Sequence, residues 1–262
     1  MVNKNIKLII ADVDGTLIEP STSKAPFPSK SLVETVKQLQ NRGIVFSLAT
    51  ARSLSHTINL TEGLQLTGPV IFDNGARIYD CKKNKYLKEL YIAKNKIKES
   101  VGIIKEISPK EKLIIVDDNL RLSQISQIKK WQVTKIIVLG ITPELAEKLY
   151  HRLSQLFGIT VTKSISGRGE KSESIHITNN KATKASGVEF ISRLLKIKKN
   201  EIMGIGDSYN DLEMLLACGY KVAMGNSIPQ VLKIADYIAP NYLNNGVEET
   251  LKRIVLGVLQ DG

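Results

Sequence analysis

Short aliphatic runs alternate with stretches of helical periodicity in both terminal parts of the chain. The runs are rich in Val, Ile and Leu, are bounded by Gly or polar residues, and predict buried strands. They lie near residues 6–12, 44–49, 69–72, 201–206 and 220–223. Between the first two, the capping-box pattern Ser31-Leu32-Val33-Glu34 predicts a helix with Leu32, Val36 and Leu39 on one face, ending near Gly43. Strands that alternate with helices in this way indicate an α/β protein with a parallel sheet.

The pattern changes after residue 80. Apolar runs predict further strands near residues 86–92, 113–116, 133–139, 159–163 and 174–178, with helices around 95–107 and 143–157. A chain of 262 residues lies at the upper edge of single-core size, so one domain with a second inserted into it is expected. The predicted domains are residues 1–80 with 181–262, and an insertion at 81–180.

Polar side chains stand where the predicted strands end or where the next helices begin. In chain order they are Asp12, Asp14, Thr50, Lys184, Asp207 and Asp211. Each one alone is typical of a commoner role: an Asp-Gly turn, a helix cap or a solvated lysine. In an open parallel sheet, however, ligands bind outside the carboxyl ends of the strands. Their joint occurrence at such positions indicates one chemical site.

These residues resemble the four motifs of the haloacid dehalogenase-like superfamily of phosphohydrolases. Asp12-Val13-Asp14-Gly15-Thr16 is similar to the first motif, Thr50 to the second, Lys184 to the third, and Gly206-Asp207-Ser208-Tyr209-Asn210-Asp211 to the fourth. Three segments resemble the Cof-type branch (subfamily IIB) of sugar-phosphate phosphatases: Asn74-Gly75-Ala76, Val222-Ala223-Met224-Gly225-Asn226 and Asn245-Gly246-Val247. One departure is Thr50-Ala51-Arg52, where the family commonly has Thr-Gly-Arg.

The resemblance implies a Rossmann-like core, a doubly wound parallel sheet, with an inserted α/β cap domain of the C2 type. That branch carries its large cap between the second and third motifs. The interval from Thr50 to Lys184 is 134 positions, which leaves room for such a cap.

The residue types suit hydrolysis of a phosphate monoester, which requires a fixed nucleophile, neutralised oxygens and a protonated leaving group. Asp12 is suited to attack phosphorus and form an aspartyl-phosphate. Asp14 would protonate the departing alkoxide and later take a proton from the attacking water. The ammonium of Lys184 would keep the nucleophile and the phosphate from repelling each other. The Thr50 hydroxyl and the following amide, that of Ala51, would hold a phosphate oxygen.

Carboxylates and an anionic substrate require positive charge in the same pocket. A hard divalent cation with oxygen ligands, Mg²⁺, fits best. The resemblance implies the Asp12 carboxylate, the Asp14 backbone carbonyl and the Asp207 carboxylate as its ligands, with Asp211 orienting the metal shell or its waters. The resemblance also implies that Asn210 binds phosphate.

The positive charge of the chain is concentrated in the insertion. The net charge is +11, and residues 82–180 carry 19 Lys and Arg against 10 Asp and Glu. A basic insertion would steer a phosphorylated substrate towards an acidic metal site, although a plain solvated lysine surface is the commoner origin of such charge. Nucleic-acid binding is not expected, because the lysines are scattered and aromatic residues make up only 5% of the chain.

No apolar run approaches the length of a membrane helix, and no signal peptide is expected, because its removal would take away Asp12. A cytoplasmic location is therefore expected, without a membrane partner. Cys81 and Cys218 are far apart and lack companions at metal spacing, which indicates neither a disulfide framework nor a zinc site. The oligomeric state stays open.

The function predicted from the sequence is Mg²⁺-dependent hydrolysis of a small phosphorylated metabolite, a sugar phosphate or a similar compound. One alternative is a phosphomutase that uses the same aspartyl-phosphate. Another is a non-catalytic phosphate-binding or phospho-accepting signalling domain, although such a domain is shorter and has no lid. Dehalogenation is disfavoured, because it needs neither Asp14 nor a metal.

Overall fold

The computed structural model describes residues 5–20, 24–118, 120–165 and 172–257. Within these ranges the α-helices are α1 Lys30–Asn41, α2 Leu54–Gly63, α3 Lys94–Ile107, α4 Pro143–Leu153, α5 Lys184–Leu195, α6 Leu212–Leu216, α7 Pro229–Ile234 and α8 Gly246–Thr250. The strands are β1 Leu8–Ala11, β2 Val45–Leu48, β3 Pro69–Phe72, β4 Arg77–Asp80, β5 Lys85–Glu89, β6 Lys112–Asp117, β7 Leu120–Leu122, β8 Val133–Ile141, β9 Ile159–Ile165, β10 Glu173–Asn179, β11 Ile202–Gly206, β12 Tyr220–Met224 and β13 Tyr237–Ala239.

The chain divides into two compact units. The first comprises Met1–Leu87 and Thr183–Gly262, and the second comprises Lys88–Ala182. The sequence placed the first division earlier, at residue 80. The difference arises because β4 and β5 continue from β3 as a small sheet of order β3-β4-β5, which carries the first unit past that point.

The first unit is built on a parallel sheet of order β13-β12-β11-β1-β2. Strand β1 lies between β11 and β2 and is buried on both faces. Ile9 and Ala11 join one apolar cluster, and Leu8 and Ile10 join the other. The first cluster includes the apolar face of α1, and the second includes that of α5. Helices therefore cover both faces of the sheet, and the predicted Rossmann-like α/β fold is confirmed.

The second unit contains an antiparallel sheet of order β7-β6-β8-β10-β9. One apolar cluster joins this sheet to α3 and α4 through residues such as Val101, Leu149 and Ile136. The predicted strand at 86–92 is wrong in its extent and in its place: β5 ends at Glu89 and pairs within the β3-β4-β5 sheet. The predicted helix at 143–157 ends at Leu153, where Ser154 caps it.

Neither β7 nor β13 was predicted from the sequence, because three residues are too few to show an alternating pattern. Among the described residues, the helices are all too short or too polar to cross a membrane.

The order of the parallel strands decides where a ligand can bind. From β1 the chain moves to β2 on one side of it, and later returns to β11 on the other side. Such a reversal opens a crevice at the carboxyl ends of β1 and β11. Ala11 at the end of β1 is paired with Ile205 in β11. The residues that follow these two strands therefore lie side by side.

Candidate active site

Asp12 follows β1 directly and is buried. Its backbone N–H donates to the carbonyl of Ile205 over 2.9 Å, which extends the parallel pairing by one residue. The chain then turns at Gly15, where φ is +79°. A Cβ atom at Gly15 would lie 2.4 Å from Asp207 Oδ2, so only glycine allows this close approach. The first loop, residues 12–18, is thereby packed against the residue that follows β11.

Lys184 is the first residue of α5 and its side chain is fully buried. The helix begins here because Thr183 accepts a hydrogen bond from the Ser186 N–H. Lys184 Nζ donates to Asp12 Oδ1 over 2.5 Å and to Asp211 Oδ1 over 2.7 Å. Burial alone lowers the pKa of Lys184, but these two carboxylates outweigh it and raise that pKa above its usual value. Lys184 is therefore a firmly charged bridge between two acidic residues.

Asp211 holds the loop that follows β11. Its Oδ2 accepts from the N–H groups of Asp207 and Ser208 over 3.1 and 3.0 Å, while its Oδ1 accepts from Lys184. A Cβ atom at Gly206 would lie 2.7 Å from Asp211 Cβ, so the strand must end in glycine to admit this carboxylate. With these three donors, the Asp211 side chain acts as the organiser of the 207–211 loop.

Asp207 projects towards the first loop, where its Oδ1 accepts from the Thr16 hydroxyl over 3.0 Å. Burial, with the nearby charge of Asp211, raises the pKa of Asp207 to about 6, against the opposing effect of the Thr16 bond. Burial also raises the pKa of Asp12 well above its usual value. The charge of Lys184 opposes this rise, and the other carboxylates add to it. Ionising these two residues together is therefore costly.

Asp12, Asp207 and Asp211 fit a divalent metal. Each offers a carboxylate oxygen, and these oxygens lie within 4.8 Å of one another. Burial, together with the charges of the neighbouring carboxylates, raises the pKa of Asp12 and of Asp207 and so disfavours their ionised forms. A hard cation would favour the ionised forms, and carboxylate oxygens are its preferred ligands.

The Asp14 carboxylate is held by Arg52. Arg52 Nε donates to Asp14 Oδ2 over 2.9 Å, and Nη2 donates to Oδ1 over 2.6 Å. This paired geometry fixes both the position and the plane of the carboxylate. The Asp14 side chain keeps 29% of its surface exposed, against 11% for Arg52, so it remains accessible from solvent.

Thr50 is buried two residues beyond the end of β2, next to Ala51. Its N–H donates to the Ile71 carbonyl over 2.9 Å, and its hydroxyl oxygen accepts from the Arg52 N–H over 3.0 Å. The Thr50 carbonyl accepts from the Asn74 N–H over 2.9 Å. These bonds join the turn after β2 to the loop after β3.

Asn210 donates through Nδ2 to the side-chain oxygen of Asn74 over 3.3 Å. Asn74 is buried and adopts a left-handed backbone conformation, with φ of 56°. The next residue, Gly75, has φ of +98°, and a Cβ atom there would lie 2.1 Å from the Thr183 carbonyl oxygen. The Asn74-Gly75 loop therefore packs between the 207–211 loop and the start of α5, the helix that carries Lys184.

Comparison with known proteins places the chain in a family. The profile of the haloacid dehalogenase-like hydrolases matches residues 9–134 and 116–251. This chain belongs to the haloacid dehalogenase-like hydrolases. The chain is 27% identical over 252 residues to phosphoglycolate phosphatase 1 of Saccharolobus solfataricus, covering 96% of this chain and 97% of that protein. It is 26% identical to the HMP-PP phosphatase of Serratia proteamaculans, covering 86% of each chain.

Among solved structures, the sugar phosphatase BT4131 of HAD subclass IIB superposes on this hydrolase with a TM-score of 0.74. The identity is 21%, and the match covers 97% of this chain and 100% of that one. The predicted membership of the Cof-type branch is confirmed, and the chain is a phosphatase of this family.

The sequence did not predict that Arg52 binds the Asp14 carboxylate or that Asn74 binds the Asn210 side chain. Arg52 was noted only as part of the second motif, and Asn74 only as part of a resemblance. Their roles depend on contacts between segments that are distant in sequence: 38 positions separate Arg52 from Asp14, and 136 separate Asn74 from Asn210. Their presence inside recognised motifs was the available signal.

Proposed function

We propose that this hydrolase is a Mg²⁺-dependent phosphatase that cleaves a small phosphorylated metabolite, a sugar phosphate or a similar compound, through an aspartyl-phosphate on Asp12. The observation that carries the proposal is the buried bridge from Lys184 to Asp12 and Asp211. A carboxylate that serves only structure does not need a fully buried lysine and two further carboxylates around it. Buried charge of this density is typical of catalytic sites.

Asp12 and Lys184 carry the first step. The Asp12 carboxylate attacks phosphorus and the ester oxygen leaves, so that a mixed anhydride of Asp12 replaces the substrate ester. Lys184 holds Asp12 through Oδ1 and offsets the repulsion between the carboxylate and the incoming phosphate. The Thr50 hydroxyl, the Ala51 amide and the Asn210 carboxamide are assigned to the phosphate oxygens.

Asp14 moves the protons. It donates one to the departing alkoxide, and in the second step it takes one from the water that attacks the phosphorus of the anhydride. Arg52 keeps the Asp14 carboxylate in a single orientation through its two hydrogen bonds. Water then releases inorganic phosphate and restores Asp12.

Asp12 and Asp207 would hold Mg²⁺ through their carboxylates, the Asp14 carbonyl would be a third ligand, and Asp211 would orient the metal shell. When bound, the ion supplies Lewis-acid polarisation of a phosphoryl oxygen. Because Lys184 and two backbone N–H groups already occupy the Asp211 oxygens, we assign to Asp211 the orientation of its neighbours.

The small size of the substrate is supported by the relatives, which are named for phosphoglycolate, HMP-PP and sugar phosphates. We assign the choice among such substrates to the second unit. Its residues 88–182 carry 17 Lys and Arg against 10 Asp and Glu, an excess that favours anionic compounds.

The test is hydrolysis of p-nitrophenyl phosphate by the purified full chain. We expect Mg²⁺-dependent turnover that EDTA abolishes, and a loss of at least about 10³-fold in kcat for Asp12→Asn. Asp236→Asn is the matched control, because Asp236 pairs with Lys221 on the surface and should leave kcat unchanged. Turnover by Asp12→Asn equal to that of the parent would refute the assignment of the nucleophile.

A panel of phosphoglycolate, sugar phosphates and nucleotide-derived monophosphates then identifies the substrate class. Release of inorganic phosphate without a bisphosphate activator distinguishes a phosphatase from the alternative, a phosphomutase with the same aspartyl-phosphate.

A further inference from the structure

The turn after β12 was recognised in the sequence, but no step of the proposed mechanism uses it. This turn, residues 224–228, is anchored to the end of β11. The Ile228 N–H donates to the Asp207 carbonyl over 3.0 Å, and the Ser227 hydroxyl donates to the Gly206 carbonyl over 3.3 Å. These two bonds fix the position of the turn relative to Asp207, the residue that follows β11.

From this turn the Asn226 side chain reaches in two directions. Its Nδ2 donates to the Gly15 carbonyl over 2.8 Å, and its Oδ1 accepts from the Tyr242 N–H over 3.3 Å. Both functions of the carboxamide are therefore occupied within the first unit. Gly15 is the residue directly after Asp14, and glycine is the residue with the greatest backbone freedom.

The bond to Gly15 restricts the part of the first loop that decides where Asp14 lies. Thr16, on the far side of the same peptide group, is held by its bond to Asp207 Oδ1. Inside the first loop, the Gly15 N–H donates to the Ile18 carbonyl over 2.8 Å and the Thr16 N–H donates to the Val13 carbonyl over 3.4 Å. The bond from Asn226 adds a contact from outside the loop, and it fixes the Gly15 carbonyl more firmly than the 3.4 Å bond on the same peptide group does. Arg52 holds only the carboxylate of Asp14.

We propose that Asn226 is a positioning residue for proton transfer by Asp14, acting through the Gly15 carbonyl. This inference rests on the proposed function and deepens it. Proton transfer requires the carboxyl group to stay within hydrogen-bonding reach of the leaving oxygen, and small displacements in such sites cost about 10²-fold in rate. The Asn226 side chain is exposed, and a hydrogen bond of this kind contributes only about 0.5–1.5 kcal/mol to stability. Asn226 therefore matters to the chemistry more than to the fold.

The principal variant is Asn226→Asp, which has nearly the same shape. The carboxylate can still accept from the Tyr242 N–H, but it has no donor for the Gly15 carbonyl and places a negative oxygen against it. Asn244→Asp is the matched control, because it makes the same change on an exposed residue of the neighbouring turn. Asn226→Ala, which removes the donor without adding a charge, is the second variant.

The bond to Tyr242 is tested separately by comparing Tyr242→Pro with Tyr242→Ala. Both variants lose the ring, and only proline also loses the N–H. Tyr242 is the first residue of a 3₁₀ turn, and the preceding residue, Asn241, has φ of −68° and ψ of 166°. A proline fits at such a position.

Two aryl phosphates of similar size, p-nitrophenyl phosphate and phenyl phosphate, report the role of Asp14. Phenol is the poorer leaving group and depends more on proton donation. We expect Asn226→Asp and Asn226→Ala to lower kcat for phenyl phosphate by at least about tenfold, and to lower it less for p-nitrophenyl phosphate. KM should stay within about twofold and the melting temperature close to that of the parent. Compared with Tyr242→Ala, Tyr242→Pro should lower kcat for phenyl phosphate, by a smaller factor than the Asn226 variants do.

Equal losses on both substrates, an unchanged kcat, or a loss that Asn244→Asp shares would overturn the inference. A fall in melting temperature that matches the loss of activity would also overturn it, because the role would then be structural. Failure of the proposed function itself is a different result: Asp12→Asn would retain turnover. The two failures are therefore distinguishable.

Discussion

Asp207→Asn should stabilise the protein in the absence of a metal ion, although it removes a proposed metal ligand. Burial and the charge of Asp211 raise the pKa of Asp207 to about 6 in the folded state. In the unfolded chain a typical value for aspartate is about 3.9. Asparagine keeps the shape and can still accept from Thr16, but it carries no charge. The variant therefore removes the electrostatic cost of the site and keeps its hydrogen bond.

The sign and size of this difference in stability follow from proton linkage. Because the folded pKa is the higher one, the folded state binds more protons between about pH 4 and pH 6, and stability falls as the pH rises through that window. A shift of about two pKa units corresponds to about 3 kcal/mol. At pH 7 without metal, Asp207→Asn should exceed the parent in free energy of unfolding by up to about 3 kcal/mol. The difference should shrink towards zero near pH 4.

The assay is urea denaturation of both proteins in EDTA at several values of pH, repeated at pH 7 with Mg²⁺. Binding of Mg²⁺ to the parent should narrow the difference in free energy of unfolding between the two proteins. A ligand at 100 times its Kd adds about 2.7 kcal/mol to the free energy of unfolding of the protein that binds it. Asp236→Asn is the control of opposite sign: hydrogen bonds from Lys221 lower the pKa of Asp236 against the effect of burial, so this change should cost stability at pH 7. Equal stability of Asp207→Asn and the parent at pH 7 in EDTA would refute the reasoning.

Three further predictions concern stability. Lys184→Met should lower the free energy of unfolding at pH 7 by about 3–5 kcal/mol and abolish turnover, because it leaves the buried carboxylates of Asp12 and Asp211 without the Lys184 ammonium. Urea denaturation measures the first effect, and the phosphatase assay measures the second. Gly75→Ala should lower the melting temperature much more than Gly43→Ala, since both have positive φ but only Gly75 faces a backbone oxygen, that of Thr183. Asp117→Ala should destabilise the second unit by about 1–3 kcal/mol, measured by hydrogen exchange across its strands, because the buried Asp117 carboxylate accepts from three backbone N–H groups.

The strands around the site were predictable because their residues form uninterrupted apolar runs. β1, β2, β3, β11 and β12 all lie where such runs end in Asp, Thr or Gly. The short strands β7 and β13 were not predictable, because their pairing comes from neighbours and not from their own sequence. β4 was not predicted, and the strand predicted at 86–92 was placed in the insertion, although β5 pairs with β4 in the β3-β4-β5 sheet.

The contacts inside the site were only partly predictable. Placing Asp12, Lys184 and Asp207 near one another followed from their positions at strand ends and helix starts. The bonds of Arg52 to Asp14 and of Asn226 to Gly15 did not follow, because positions at strand ends show which residues share an edge of the sheet and not which groups pair there. No local pattern encodes such pairs.

The amino-acid sequence by itself determined the α/β class, the family and the residue types available for phosphate chemistry, since periodicity and motifs are local properties of the chain. Only the tertiary structure decided which oxygen accepts from Lys184, which residue orients Asp14 and which turn holds Gly15. The physical reason is that these contacts depend on strand order and loop packing, which bring together groups that lie far apart along the chain.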